Sequence, residues 1–332
     1  MRHMSTLEAL IIDRVGRQAH RHVGVIVGVL DGDRSGAVGF GSTRRGGTSP
    51  GARTSFQIGS VTKVFTSLLF ADAVHRGEVA FDQPLRSVFP AAAPHAAGRP
   101  IQLADLASHT SRLPRLPPGL ARSALRARHD PYARFTIEQL ERGLSVPPKR
   151  PAGGKPRYSN LGAGVLGEAL VRATGTPYPQ LVHDRIAVPL GLVDTGVELD
   201  GSESSVAVGH TRRGRETGDW HLAALAGAGA LRSSVRDLLV LLRVHLAPES
   251  TPLEVAVRSV LVERARISRP LAVGLGWHLL DRRDGARWWW HNGGTGGFRS
   301  FVGFDPGSTR AVAVLANDTR SVDRIGQRLL AP

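Results

Sequence analysis

The chain predicts a mixed α/β (α+β) fold: one antiparallel sheet flanked by helices from both chain ends, with a mostly helical lobe inserted between its strands. Apolar, strand-like runs cluster near both ends of the 332 residues, whereas the middle carries mainly helical periodicity. Gly/Ser linkers, repeats and low-complexity tracts are missing, which favours a single domain over residues 1–332 with two lobes.

In chain order, the pattern predicts a helix over Thr6–Arg17 and then strands around Val23–Leu30, Ala37–Gly41 and Ser55–Ile58. A helix over Ser60–Arg76 follows, with apolar Val61, Val64, Phe65, Leu68, Leu69 and Ala73, stopped by Gly77. The helical lobe spans about 78–246 and includes a packed helix over Leu161–Ala173. Late strands near Leu275–Asp281, Ala286–His291, Phe298–Phe304 and Ala311–Asn317 complete a sheet lobe of about 5–77 and 247–332. Trp288-Trp289-Trp290 reads first as strand packing, although alternation puts Trp289 on the face of His291, where walling a pocket is the alternative.

The basic residues are the most telling part of the composition. Only three of the 43 Lys and Arg residues are lysine, namely Lys63, Lys149 and Lys155. Arginine keeps its proton in proteins, whereas a desolvated lysine, or one beside another cation, becomes a neutral base near pH 7. Lys63 stands three residues after Ser60 at the predicted helix start, so the two side chains share a face. The free N–H groups and dipole there favour developing negative charge by about 0.3–1 kcal/mol. Ser60 is therefore a candidate nucleophile and Lys63 its candidate base.

Two further motifs follow at wide spacing. Tyr158-Ser159-Asn160 comes after the proline-rich stretch Pro147–Pro156, and His291-Asn292-Gly293-Gly294 comes after the tryptophan run. Together with Ser60-Val61-Thr62-Lys63, these resemble the active-site set of the serine β-lactamase and penicillin-binding-protein superfamily. The likeness is greatest to the branch of class C β-lactamases, D-Ala-D-Ala carboxypeptidases and family VIII esterases. It extends along the chain through Phe56–Pro90, Leu103–Pro114, Ala228–Leu242 and Trp289–Pro306.

The resemblance implies a β-lactamase/transpeptidase-like fold and an acyl-enzyme serine hydrolase acting on a small ester or amide. Ser60 would be acylated, Lys63 and Tyr158 would handle its proton, and Asn160 would orient Lys63 and the substrate. His291 takes the place of a lysine common in the third motif, and the N–H groups of Ser60 and Gly294, beside Gly293, would form the oxyanion hole. Asn292 departs from the Thr or Ser usual in members that bind a substrate carboxylate, and Arg112 departs from a usual glycine. Arg299 could supply a compensating charge, although a solvated arginine is the simpler reading. Acyl transfer on the same residues, and a non-catalytic binding protein on the same fold, stay open as alternatives.

Other patterns point away from different chemistry. Gly47–Gly51 fits the α/β-hydrolase elbow G-x-S-x-G, but Pro50 lacks the N–H that elbow uses. Gly162–Gly167 fits the dinucleotide pattern G-x-G-x-x-G without the preceding strand, so its glycines read as packing positions and Glu168 as a solvated or paired charge. His20-Arg21-His22 reads as a surface pair and not a metal site. No cofactor or metal is implied.

A net charge of +15 carries no interleaved aromatics or nucleic-acid module, so a nucleic-acid partner is not expected. Cysteine is absent, which excludes disulfides and thiolate chemistry. No leader and no spanning apolar run are visible, so no membrane insertion and a cytoplasmic setting are expected, with a secreted parent that has lost its leader left open. Met4 reads as the native start, with Met1–His3 as an added remnant. The oligomeric state is not legible.

Overall fold

The computed structural model describes residues 5–92, 98–120, 129–148, 150–198 and 206–331. The reading of Met4 as the start, and Lys149, lie outside these residues. Helix α1 (Thr6–Ala19) begins at a capping box in which Ser5 and Glu8 satisfy each other's backbone N–H groups. Its Leu7, Ile11, Val15 and Ala19 recur every fourth residue and are buried as one stripe. Strands β1 (Gly24–Asp31) and β2 (Arg34–Gly41) form a hairpin across Gly32-Asp33. Gly32 takes a positive φ of 60° there, as tight hairpin turns demand.

Short strands β3 (Phe56–Gln57), β4 (Gly209–His210), β5 (Glu216–Thr217) and β6 (Arg232–Ser233) pair outside the main sheet. The main sheet continues with β7 (Ala265–Arg266), β8 (Leu271–Val273), β9 (His278–Asp281), β10 (Arg287–Gly294), β11 (Arg299–Asp305) and β12 (Arg310–Ala316). Its eight strands run in the order β2-β1-β12-β11-β10-β9-β8-β7, with every neighbouring pair antiparallel. The pairing of β1 with β12, with Val27 opposite Val314, joins the two ends of the chain in the middle of the sheet.

Helices cover both faces of this sheet. On one face α1 and the C-terminal helix α7 (Asp323–Leu330) pack over Val25, Val27, Val29, Trp288, Phe301, Val312 and Val314. The other face presents Ile26, Val302, Phe304, Ala313 and Leu315 to the larger core. Burial on both faces explains why β12 reads as a continuous apolar run. Helix α2 (Thr62–His75) lies in this larger core, next to α4 (Asn160–Thr174) and α6 (Glu254–Val260). It is buried almost all round, including Lys63, Thr66, Ser67 and Asp72, so it has no solvated face.

Three expectations are corrected. Ser55–Ile58 does not join the main sheet; Phe56 and Gln57 pair with Ser233 and Arg232, and the Ile58 N–H donates to the Leu231 carbonyl at 3.0 Å. Helix α5 (Val235–Leu246), expected in the inserted lobe, lies on the sheet instead. Gly28 of β1 lets it approach, because a Cβ there would meet Val235 Cγ2 at 2.7 Å. The strand expected over Leu275–Asp281 starts only at His278, because Gly276 turns the chain at φ 71° after β8. Among the described residues no helix is long and apolar enough to cross a membrane.

Asn317, fully buried at the end of β12, closes the sheet lobe. Its Nδ2 donates to the Thr43 and Val208 carbonyls at 2.8 and 3.0 Å, with the Ser42 carbonyl sharing a hydrogen at 3.2 Å, tying two distant chain segments to one amide. Asn317→Ala strands these acceptors away from water and is expected to lower stability by about 3 kcal/mol. Urea unfolding checks this as a fall in midpoint at unchanged slope.

Candidate active site

Ser60 lies in a short 3₁₀ turn, Gly59–Val61, two residues before α2 begins. The helix therefore starts later than expected, and Lys63 occupies its first turn. Gly59 has φ 49°, and a Cβ there would meet the Gly294 N at 2.6 Å. A Cβ on Gly293 would stand 2.0 Å from the Ile58 carbonyl oxygen and 3.0 Å from the Ser60 N. These close approaches require glycine and bring the end of β10 against the nucleophile turn. The Ile58 carbonyl also accepts from Ser300 Oγ at 2.7 Å, which holds the turn to β11.

The ladder between β10 and β11 orients Gly294. The Thr295 N–H donates to the Phe298 carbonyl, so antiparallel alternation leaves Gly294, opposite Arg299, at a position without ladder bonds. Its N–H turns away from β11, toward the Ser60 turn.

Lys63 is 2 % exposed. Its Nζ lies 3.2 Å from Ser60 Oγ, 2.9 Å from Asn160 Oδ1 and 2.7 Å from the Ala228 carbonyl oxygen. Among the described residues it has no carboxylate partner. Burial, and secondarily the charge of Arg115, lower its pKa to about 7. A neutral amine has two N–H groups and one lone pair. The amide oxygen and the carbonyl can only accept, so they take both hydrogens and leave the lone pair facing the Ser60 hydroxyl.

Asn160 opens α4, where its N–H donates to the Arg115 carbonyl at 2.9 Å. Ser159 caps the helix by accepting from the Gly162 N–H at 2.9 Å while donating to the Pro114 carbonyl at 2.6 Å. The Tyr158 ring lies 4.9 Å from Lys63 Nζ. Burial raises the Tyr158 pKa to about 12, against the opposing effects of a hydrogen bond with Ser60 and the charge of Arg115. The phenol thus keeps its proton where Lys63 begins to lose its own.

His291 is fully enclosed, with Nδ1 at 2.7 Å from the Asn292 carbonyl oxygen. Two histidines not singled out from the sequence accompany it. The His278 ring is 5.1 Å from that of His291, and the His109 ring is 4.5 Å from that of Tyr158. Desolvation lowers all three pKa values, to about 4 for His278, so the cluster is neutral. His109 accepts from the Ser159 N–H at 3.3 Å if Nδ1 carries the lone pair. No group of three or more His, Cys, Asp or Glu among the described residues is arranged to hold a metal.

The wall over Ser60 comes from Tyr132 and Trp220, with ring centroids 5.2 Å apart, together with Leu222 and Thr295. They enclose a cavity of about 30 Å³ that also borders Gly59, Asn160 and Gly294. Both aromatics lie in loops, where no periodicity marks them. A larger cavity of about 1160 Å³ behind Trp220 contains none of Ser60, Lys63 and Tyr158. Trp289 is packed in the core against Gly274, in line with strand packing as the first reading of the tryptophan run, and it does not wall the pocket over Ser60.

Several charged or polar residues also differ from expectation. Arg299 is not solvated: its Nη1 donates to the Thr295 and Phe298 carbonyls at 2.9 and 2.7 Å, beside Gly294. Asn292 turns away from Ser60, and its Nδ2 donates to the Asp323 carboxylate at 3.1 and 3.2 Å. His22 is no surface residue; it is buried with Nδ1 at 3.1 Å from Asp318. Arg112 adopts φ 65°, so the loop keeps a glycine-like turn with an arginine in it. The Gly162–Gly167 run is helix packing, where a Cβ on Gly164 would meet Leu225 Cδ2 at 2.4 Å, and Glu168 pairs with Arg172. Gly47–Gly51 lies in a loop without the strand and helix of a nucleophile elbow.

The Beta-lactamase family model matches residues 7–331. The D-alanyl-D-alanine-carboxypeptidase/endopeptidase AmpH of Escherichia coli (strain K12) is 30% identical over 301 residues, covering 85% of this chain and 76% of that protein. Penicillin-binding protein 4 of Amycolatopsis lactamdurans is 27% identical over 325 residues, covering 91% and 82%. A class C beta-lactamase structure has a TM-score of 0.86 at 17% identity, covering 99% of this chain and 96% of that one. The class C beta lactamase from Rhodobacter sphaeroides has a TM-score of 0.83 at 23% identity, covering 98% of each. At those identities the structures establish the fold.

Gly293→Ala would push the end of β10 off the Ser60 turn. Turnover of any substrate that depends on Ser60 is expected to fall at least about 100-fold, the scale of losing one oxyanion donor. Circular dichroism should remain that of the parent, and initial-rate kinetics on both proteins provide the check.

Proposed function

The chain belongs to the beta-lactamase family of serine hydrolases, and we propose that it acts through an acyl-enzyme on Ser60, with a small ester or amide as substrate. The observation that carries this reading is Lys63, a buried amine with two obligatory acceptors and Ser60 Oγ as its third neighbour. A structural position would not retain an amine there. Burying an ammonium without a carboxylate destabilises the fold, and an apolar side chain of similar length would avoid that cost. The same argument weighs against a non-catalytic binding protein.

The chemistry follows from the geometry. Neutral Lys63 takes the Ser60 proton as Oγ bonds to the substrate carbonyl carbon. The carbonyl oxygen becomes an oxyanion between the N–H groups of Ser60 and Gly294, where each donor contributes about 3–4 kcal/mol in comparable sites. Tyr158, still a phenol, protonates the leaving group as its bond to carbon breaks and recovers its proton from the Lys63 ammonium. Water then attacks the acyl-Ser60 carbonyl with Lys63 taking its proton, and the bond to Oγ breaks as Lys63 returns that proton to Ser60 and the acid leaves. Asn160 orients the amine throughout.

The substrate class follows from the surroundings. Asn292 is held by Asp323 and offers no hydroxyl, and His291 is neutral, so neither supplies a fixed positive site for a substrate carboxylate. That supports small esters over penicillins. Peptide amides with a D-residue remain within reach of the same machinery, given the activity in the AmpH name. The narrow aromatic-walled cavity favours acyl transfer as a second reading, since limited water at the acyl group lets an amine or alcohol compete.

With p-nitrophenyl acetate, a burst of nitrophenol and an acetylated protein mass are expected, and both should vanish in Ser60→Ala. Lys63→Arg keeps the charge but cannot act as a base, so at least about a 1000-fold loss is expected; full activity in that variant would overturn the reading. Added alcohol that diverts the acyl group into a new ester at the expense of acid would assign acyl transfer.

The sign of the pH dependence follows from the lowered Lys63 pKa. The neutral base predominates above about 7, so kcat/KM should rise with pH through that value and fall about tenfold per unit below it. The histidines, neutral throughout, should add no inflection above pH 5. A rate independent of pH from 5 to 8 would exclude Lys63 as the base.

A further inference from the structure

Away from Ser60, on the side of the sheet covered by α1 and α7, a cavity of about 460 Å³ is lined by four arginines. They come from three distant parts of the chain. Arg21 follows α1, Arg212 lies in the turn between β4 and β5, and Arg320 and Arg324 come from the end of β12 and from α7. Gln18, His22, Ile325 and the hydroxyl-bearing Thr319 and Ser321 complete the lining.

The charges in this pocket are unbalanced. Among the described residues Arg21, Arg212 and Arg324 have no carboxylate partner. The nearby acid, Asp318, is fully buried and already engaged. It accepts from the Val23 N–H at 2.8 Å and the Arg320 N–H at 2.8 Å, and it pairs with His22 at 3.1 Å and Arg320 Nη1 at 3.3 Å. Four guanidinium groups around one concavity repel one another until an anion enters it.

From this arrangement we propose that the pocket binds a phosphate-bearing anion, in the form of a phosphomonoester or pyrophosphate group. Three free guanidinium forks offer more N–H donors than the two oxygens of a carboxylate can accept, and their planar geometry matches phosphate oxygens bidentately. The one ring among the described lining residues, the His22 imidazole, is buried and held by Asp318, so bases have no exposed face to stack on and a single-stranded nucleic acid is disfavoured. The concave shape selects a terminal group over a long polyanion. The source of that group is a soluble phosphate ester or a lipid headgroup, which share this chemistry. The site is independent of the reaction assigned to Ser60.

The test is calorimetric titration of the full chain with inorganic pyrophosphate in 150 mM salt, a concentration chosen to screen diffuse charge to about 8 Å. Saturable one-to-one binding is expected. Arg21→Ala and Arg324→Ala, both surface changes, should each weaken it at least about fivefold. Arg283→Ala, an exposed arginine in the β9–β10 turn at the other end of the sheet, removes the same charge and should leave it unchanged. Absence of saturable binding, or equal weakening by Arg283→Ala, would overturn the proposal. Phosphatidic-acid vesicles that displace pyrophosphate would identify the lipid headgroup as the source. Vesicles that fail to displace it would point to a soluble ester.

Discussion

A buried amine without a counter-ion organises this molecule. Lys63 gives up hydration and gains only hydrogen bonds to oxygen acceptors, so its charged form is disfavoured and its neutral form is the one the interior suits. Those acceptors must arrive from different parts of the chain. Asn160 is delivered by the capped start of α4, and the Ala228 carbonyl by the short helix Ala226–Gly229. Thr66, one turn beyond Lys63, donates to the Gly227 carbonyl at 2.7 Å and so holds that short helix to α2.

The close packing around α2 depends on missing side chains. Gly167 of α4 lies so near Gly227 that a Cβ would stand 3.0 Å from its Cα. The glycines that imitate a dinucleotide motif thus let Ala228 reach Lys63. Gly59 and Gly293 do the same on the opposite side, allowing β10 to approach the nucleophile turn. Backbone proximity at both places sets side-chain geometry at Ser60, and each contact is lost to a single methyl group.

Electrostatically the site is sparse. The three histidines around Tyr158 are dehydrated to neutrality, and among the described residues the exposed Arg115 is the cation that lowers the Lys63 pKa. Burial drives the pKa values of Lys63 and Tyr158 apart in opposite directions, down for the amine and up for the phenol. Negative charge at the far end of β10 resides on Asp323, which is shielded by Asn292.

The local sequence by itself determined most of the sheet strands, the helix behind Ser60 and the motif residues, because period, spacing and residue chemistry are local properties, whereas Phe56–Gln57 left the main sheet for Arg232–Ser233 through tertiary pairing. Ser60, Lys63, Asn160, Gly293 and Gly294 could be named from the chain alone, and the structure places them together. Where the lone pair of Lys63 points was decided only by tertiary structure, since a carbonyl 165 residues away completes its shell. The same holds for Tyr132 and Trp220, which are loop residues without a pattern. It also holds for α5, whose place on the sheet follows from the glycine gap at Gly28 and not from its own periodicity. The arginine pocket is the clearest case: its four charges read as scattered surface residues until α1, the β4–β5 turn and the β12–α7 junction bring them together.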